Sequence, residues 1–242
     1  MKLLELAVDL DDTNVQAHLQ LLTILARDEH YRHRAPSAIQ EALLKFPKSV
    51  QIQHLCASFL LECGQDDAAE VLLSRLASSE PKNGLVASTQ GLLHMKRGQR
   101  EAAACCFKRG MADEEAHNAL LCHEELAKLA VLEGRLEVAR DVFRHGAGKL
   151  QPSSRFLREW GLFERKLGNV DEARALFRQS VELRAMDVRS WVAWALLERS
   201  QEDYTQALEV LRQVRVGSRS FFSMWCSMPL YITRIVHSVL SS

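Results

Sequence analysis

The sequence is poor in the residues that interrupt helices. It contains only 11 glycines and 5 prolines among 242 residues, and Ala, Leu, Glu and Arg are abundant. This composition is typical of helical proteins and argues against a β-sandwich or a β-barrel. The chain also lacks net charge, because 31 Lys and Arg balance 31 Asp and Glu. Total charge therefore gives no argument for a nucleic-acid or membrane partner.

Signals for secretion or membrane insertion are also missing. The six cysteines form no C-x-x-C pair and no N-x-S/T acceptor occurs, which argues against an oxidised, secreted scaffold. The N-terminus has no signal-peptide pattern, and the apolar stretch from Phe221 to Leu240 is broken by Pro229. We expect an intracellular protein of the nucleus, the cytoplasm or an organelle, without a membrane partner.

A repeat of about 34 residues runs through the chain. In four segments a glycine lies five residues before an alanine, and a large apolar residue follows the alanine four residues later. At spacings of 34, 36 and 34 residues, the glycines are Gly64, Gly98, Gly134 and Gly168. The frame extends to turns near His30 and Glu202. Because glycine ends one helix and the polar residues after it start the next, the period predicts a series of helical hairpins.

Small residues mark the point where the two helices of each repeat are expected to touch. The second helices carry Ala69, Ala103, Ala139, Ala173 and Ala207. Twelve residues earlier, the first helices carry Ala57, Gly91, Ala127, Gly161 and Ala195. Small residues at a crossing let helices pack at short distance. These ten residues are therefore the predicted structural positions of the repeat.

The period, the paired small residues, the turn glycine and the following aromatic residue resemble the tetratricopeptide repeat over nearly the whole chain. The later repeats are more similar to the half-a-tetratricopeptide (HAT) variant, in which spaced aromatic residues precede Glu and the second helix carries Ala-Arg before an aromatic residue. This pattern is found at Leu157, Trp160, Phe163 and Glu164, followed by Ala173, Arg174 and Phe177. A second match, at Trp191, Trp194, Leu197 and Glu198, lacks the Arg after Ala207.

The resemblance implies an all-α, right-handed superhelix of about six helix-turn-helix repeats. We expect this array over residues 1–217, with residues 1–10 as a partial leading repeat and 218–242 as a partial or degenerate one. Neither end supplies a polar capping repeat. The chain is therefore expected to be part of a longer array, an imperfect gene model or a subunit capped by a partner, and its ends are expected to self-associate.

The most suggestive polar feature is a strip of arginines on two successive first helices. Its members, called here the arginine strip, are Arg155, Arg158, Arg165, Arg189 and Arg199. Such a strip can grip RNA phosphates or an acidic peptide. The alternative is a solvated face that is neutralised by Glu159, Glu164 and Glu198. The tryptophans Trp160, Trp191 and Trp194 are expected to pack in the core, because they lie at helical spacing beside other large apolar residues.

No residue pattern supports catalysis or metal binding. His30 and His33 lack the spacing of zinc hydrolases, and the neighbours Cys122 and His123 point in different directions on a helix. The sequence therefore predicts no enzyme, no cofactor and no metal site. It favours a non-enzymatic scaffold that binds other proteins, and the HAT resemblance implies a setting in RNA-processing complexes. The alternative is direct binding of single-stranded RNA through the arginine strip.

Overall fold

The computed structural model describes residues 13–28 and 30–216, together with residues 6, 8, 10 and 11. In these residues the fold is all-α: there are twelve α-helices and one short 3-10 helix, and no strand. This confirms the predicted fold class. The expected partial repeat at 218–242, and most of the one at 1–10, lie outside the described residues. The chain divides into two compact units, Met1–Ala139 and Arg140–Ser242.

The helices follow one another with short connections. A 3-10 helix, Arg32–Arg34, precedes the second α-helix. In chain order the α-helices are α1 Val15–Arg27, α2 Ala35–Lys45, α3 Val50–Glu62, α4 Asp66–Ser79, α5 Gly84–Lys96, α6 Arg100–Gly110, α7 Ala116–Leu132, α8 Leu136–Lys149, α9 Ser154–Lys166, α10 Val170–Leu183, α11 Val188–Ser200 and α12 Tyr204–Val216. No helix in this part of the chain is long and apolar enough to cross a bilayer.

The turns between first and second helices share a left-handed residue. At Gly64, Gly98, Gly134 and Gly168 the backbone φ lies between 74° and 81°. A side chain is disfavoured in this region, which explains why glycine recurs there. The turn between α11 and α12 has Glu202 in a similar conformation, with φ 61°.

The first helices begin at polar caps. Side-chain oxygens of Ser49, Asn83 and Ser153 accept hydrogen bonds from backbone N–H groups in the first turns of α3, α5 and α9. Each cap satisfies a donor that the helix leaves without an intrahelical partner. The sequence thus marks both ends of these helices, with a cap at the start and a glycine turn after the end.

Within the first unit, α3 packs on α4 and α5 packs on α6. The aromatic ring of Phe107 in α6 lies directly over Gly91 in α5, where any side chain would overlap it. In the second unit, α9 packs on α10 and α11 on α12. All ten of the small repeat positions are buried. Close approach between paired helices therefore depends on a missing or minimal side chain.

Gly161 and Phe177 show how tight one of these crossings is. A Cβ atom on Gly161 of α9 would lie 2.7 Å from Cε1 of Phe177 in α10, and Phe177 is fully buried. A rigid ring in a packed interior has little room to move. The second unit therefore requires glycine at this position.

We predict that Gly161→Ala destabilises the protein although alanine is the better helix former. Overpacking against Phe177 costs about 1–3 kcal/mol, which exceeds the helix-propensity gain of up to about 1 kcal/mol. The matched control is Gly148→Ala in α8, where an added Cβ meets no atom within 4 Å. Thermal unfolding followed by circular dichroism should show a lower midpoint for Gly161→Ala and an equal or higher one for Gly148→Ala. Equal midpoints for the two variants would contradict this packing.

Candidate interaction surface

The structure places the five residues of the arginine strip in different environments. Arg155 and Arg189 are exposed at corresponding positions of α9 and α11. Arg165 and Arg199, near the ends of the same helices, are partly exposed. Arg158 is only 8% exposed. Because α9 and α11 contact each other, the four accessible arginines lie on neighbouring first helices.

Arg158 differs from the expectation of a surface residue, because it is part of a buried polar network. Its Nη1 donates to Oδ2 of Asp187 at 2.8 Å, and its Nη2 donates to Oε1 of Glu159 at 3.2 Å. The same oxygen of Asp187 also accepts from the hydroxyls of Ser154, at 3.0 Å, and Ser190, at 2.7 Å. A guanidinium held in this way stabilises the junction between α9 and α11 and is withdrawn from the surface.

The carboxyl group of Asp187 is suited to this central position. Burial by itself would raise the pKa of Asp187, but the Ser190 hydroxyl, the Arg158 charge and the Ser154 hydroxyl lower it. The net effect places the pKa below its ordinary value, so the group is ionised at neutral pH. The ion pair with Arg158 is therefore a permanent part of the folded second unit.

Two glutamates that were expected to neutralise the arginine strip lie in the interior instead. Glu164 is 1% exposed, and its carboxylate accepts from Nε and Nη2 of Arg140 at 3.0 and 3.2 Å. Glu198 is fully buried and accepts from Nε and Nη2 of Arg174 at 2.7 and 2.8 Å. Each pair joins a second helix to the first helix that follows. Glu164 and Glu198 are therefore engaged by Arg140 and Arg174, while Glu159 pairs with Arg158 of the strip.

The tryptophans complete these pairs. The indole N–H of Trp160 donates to Oε1 of Glu164 at 3.1 Å, and that of Trp194 donates to Oε1 of Glu198 at 2.8 Å. Trp160, Trp191 and Trp194 are all less than 9% exposed, which confirms that they belong to the core. Each Glu–Arg pair with its tryptophan is called here a clasp.

Hydrogen bonding sets the ionisation of the clasp glutamates. Burial would raise the pKa of Glu164, but hydrogen bonds from Arg140, Asn169 and Trp160 hold it below its ordinary value. For Glu198, the hydrogen bond from Arg174 lowers the pKa against the opposing effect of burial. Both carboxylates are therefore charged in the folded protein at neutral pH.

Three arginines of the strip lie outside the clasps and outside the Asp187 network. Within the described residues, Arg165, Arg189 and Arg199 take part in no salt bridge. Partly exposed aliphatic side chains lie on the same two helices, at Leu162, Val192 and Leu196. These six residues are called here the arginine face. Its combination of cationic and aliphatic side chains suits a partner that is both acidic and apolar.

Reasoning from the sequence missed the partners that make the clasps. Arg140 and Arg174 each follow a repeat alanine, and Glu164 and Glu198 each lie four residues before a turn position. The two signals recur 34 residues apart, and that recurrence could have identified a pair between adjacent repeats. The HAT-like residues of the sequence are thus explained by a physical contact.

Cys122, one of the residues weighed for metal binding, is packed in the interior of the first unit. Cys122 is buried, and its Sγ donates to the backbone oxygen of Gly84 at 3.2 Å. Burial raises the pKa of the Cys122 thiol to about 12, so it is not a ready nucleophile. No group of three or more His, Cys, Asp or Glu in the described part of the chain is placed to hold a metal ion.

Comparison with known proteins identifies the fold. No family model and no curated protein matches the sequence. A thermophilic TPR protein from Thermus thermophilus superposes with a TM-score of 0.61 at 16% identity, over 75% of this chain and 97% of that one. A chain of the APC/C hetero-tetramer Cut9–Hcn1 gives 0.60 at 13% identity, over 86% and 41%.

Human IFIT1, in a dimer with m7Gppp-AAAA, also matches, with a TM-score of 0.60 at 17% identity over 89% of this chain and 57% of that one. The present chain thus spans about half the length of the Cut9–Hcn1 and IFIT1 chains. Identities this low demonstrate a shared fold only. The chain has a tetratricopeptide-like helical repeat fold, as the sequence resemblance implied.

The clasps predict how stability depends on pH. Because the pKa values of Glu164 and Glu198 are lowered on folding from an ordinary value of 4.5, the unfolded chain binds protons first as the pH falls. The two ionised carboxylates stabilise the folded protein above pH 4.5. This stabilisation is lost as the pH falls through the lower pKa values of the folded state. We expect the thermal midpoint to fall between about pH 5 and pH 3, and to fall less in the double variant Glu164→Gln, Glu198→Gln.

The matched control is Glu172→Gln with Glu182→Gln, two glutamates that are exposed. Its pH profile should follow that of the unmodified protein. The clasp variant should also be less stable at pH 7, because Arg140 and Arg174 lose a charged partner in the interior. Parallel pH profiles for all three proteins would show that the clasps do not carry this dependence.

Proposed function

We propose that this chain is a non-catalytic scaffold that binds other proteins, and that the arginine face is one of its binding surfaces. The observation that carries the proposal is the lack of salt bridges to Arg165, Arg189 and Arg199 among the described residues. The glutamates that directly precede Arg165 and Arg199, Glu164 and Glu198, are used inside the clasps. A surface that keeps its positive charge in this way attracts an acidic partner.

The spacing of the arginines supports a partner that spans both first helices. Arg165 and Arg199 are at the same repeat position, and so are Leu162 and Leu196, each pair separated by 34 residues. A guanidinium can bind a carboxylate through two parallel hydrogen bonds, and aliphatic side chains add contact area without directional demands. An acidic segment with aliphatic side chains would therefore meet complementary groups on both helices.

Single-stranded RNA is the alternative partner. The unpaired guanidinium groups favour it, and a structurally similar protein, human IFIT1, is described in complex with m7Gppp-AAAA. Proteins that bind single strands usually also stack bases on exposed aromatic rings. The tryptophans of α9 and α11 are buried, and their indole N–H groups are already bonded. The described surface of these helices therefore suits an acidic peptide better than RNA.

The cellular setting belongs to the same proposal. The HAT-like residues support a place in an intracellular complex that processes RNA, with this chain contacting protein subunits. The first unit, which has its own packed helix pairs, would offer further surface to such subunits. Repeat arrays provide extended surface without a preorganised polar pocket, which fits a scaffold better than an enzyme.

The proposal is tested by charge reversal on the arginine face. Two fluorescent probes are compared by anisotropy at several salt concentrations: an acidic peptide built from Glu and Leu, and an oligouridine of equal length. We expect the peptide to bind more tightly than the RNA. Its affinity should fall at least about tenfold in the variant Arg165→Glu, Arg189→Glu, Arg199→Glu, because attraction becomes repulsion.

The matched control reverses three exposed cations on or next to second helices, with the variant Arg144→Glu, Arg184→Glu, Lys149→Glu. It changes the net charge by the same amount but should bind the peptide almost as well as the unmodified protein. Tighter binding of the RNA, with a log–log salt slope near −0.7 for each phosphate contacted, would favour the RNA alternative. Equal loss in both variants would indicate nonspecific attraction and contradict the assignment to this face.

A further inference from the structure

The connection between α6 and α7 differs from the other connections that lead from a second helix to the next first helix. It spans five residues, 111–115. The four corresponding connections each span four residues: 46–49, 80–83, 150–153 and 184–187. Only this connection contains three consecutive acidic residues, Asp113, Glu114 and Glu115, and no such run occurs elsewhere in the sequence. Residues 111–115 are called here the acidic loop.

Hydrogen bonds hold the acidic loop in place at both of its ends. The carboxylate of Asp113 accepts from the backbone N–H of Gly84 at 2.6 Å and from that of Glu115 at 2.9 Å. The side-chain amide of Asn118 donates to Oε2 of Glu115 at 2.8 Å. The loop is thus anchored to the start of α5 and to the first turn of α7. A segment that is ordered before binding loses little conformational freedom when it binds.

The negative charge of the acidic loop is not neutralised within the described part of the chain. Asp113, Glu114 and Glu115 take part in no salt bridge there. Glu114 and Glu115 are exposed, as is Ala112, and Met111 is partly exposed. The loop is therefore an acidic segment with apolar side chains beside its carboxylates. This is the chemistry proposed above for the partner of the arginine face.

The acidic loop and the arginine face are complementary in charge. The three carboxylates of the loop correspond to three guanidinium groups that also lack a salt bridge among the described residues, those of Arg165, Arg189 and Arg199. Partly exposed apolar side chains accompany the charges on both surfaces. The loop belongs to the first unit and the face to the second, so two copies of the chain can each supply one surface. Opposite charges favour such an encounter and fix its register.

We propose that the arginine face of one copy of this chain binds the acidic loop of a second copy. The contact rests on the proposed function, because it supplies a partner for the same face. The guanidinium groups bind the carboxylates of Glu114 and Glu115, and Met111 packs on the aliphatic side chains of the face. Because the contact joins two different surfaces, every copy carries one surface of each kind.

Sedimentation velocity of the full chain at increasing concentration, in low and in high salt, tests the proposal. We expect a dimer or a larger species that forms as the concentration rises and dissociates when salt screens the charges. Each of two variants should weaken this association at least about tenfold. They are the face variant, Arg165→Glu, Arg189→Glu, Arg199→Glu, and the loop variant, Glu114→Lys, Glu115→Gln. Asp113 is left unchanged because it anchors the loop.

A mixture of the two variants gives the sharpest result. The face variant retains an intact loop and the loop variant retains an intact face. We therefore expect an equimolar mixture to form a 1:1 complex although neither variant associates by itself. The matched control for the loop variant is Glu41→Lys, Glu80→Gln, which makes the same change in net charge at exposed positions of the first unit. It should associate as the unmodified protein does, and thermal unfolding should show equal midpoints for the loop variant and this control.

A chain that stays monomeric at every concentration would overturn the proposal, and so would a mixture of the two variants that forms no complex. Equal weakening by the loop variant and its control would also overturn it, because the attraction would then be nonspecific. Binding of the acidic peptide separates these results from failure of the proposed function. A monomeric chain whose arginine face still binds the peptide keeps that function and loses only the second copy as a partner.

The same peptide provides a further check on the site of contact. Because the peptide and the acidic loop would occupy one face, an excess of the Glu–Leu peptide should dissociate the self-associated protein. Association that resists the peptide, while the peptide is bound, would place the contact elsewhere and overturn the proposal.

Discussion

The clasp between a second helix and the next first helix determines the surface charge of the second unit. A glutamate on a first helix is drawn inward because an arginine and an indole N–H together satisfy its carboxylate. Burying a charged group is costly unless it is paired and fully hydrogen bonded, and the clasps meet both conditions. The arginines that remain on the first helices have then lost their nearest neutralising partners.

The first unit joins its repeats with the opposite polarity. Glu70, which follows the repeat alanine as Arg140 and Arg174 do, accepts from Nη1 of Arg97 at 2.8 Å. The acidic residue lies here on the second helix, and the arginine directly follows the next first helix. Glu70 is also far more exposed than the clasp glutamates, so this pair contributes less to stability. Ion pairing between repeats is thus found in both units, with the arginine on the second helix in one and the glutamate there in the other.

Much of the fold could be predicted because it rests on local and periodic features. Turn glycines need a left-handed backbone, and small residues permit close crossings, so both appear in the sequence at fixed spacing. The burial of the Arg158 side chain could not be predicted in this way. Its burial depends on Asp187, 29 residues away, whose carboxylate gathers hydroxyl and guanidinium donors from two helices.

The network around Asp187 links repeats that would otherwise be independent. Its carboxylate contacts Ser154 and Arg158 of α9 and Ser190 of α11, while the hydroxyl of Ser180 in α10 bonds to both serines. One carboxylate therefore connects, directly or through a hydroxyl, three consecutive helices. In a repeat array the sharpness of melting is governed by coupling between neighbours. The buried polar network around Asp187 therefore makes the unfolding of these three helices more cooperative. Its directional hydrogen bonds couple the helices more specifically than apolar packing alone would.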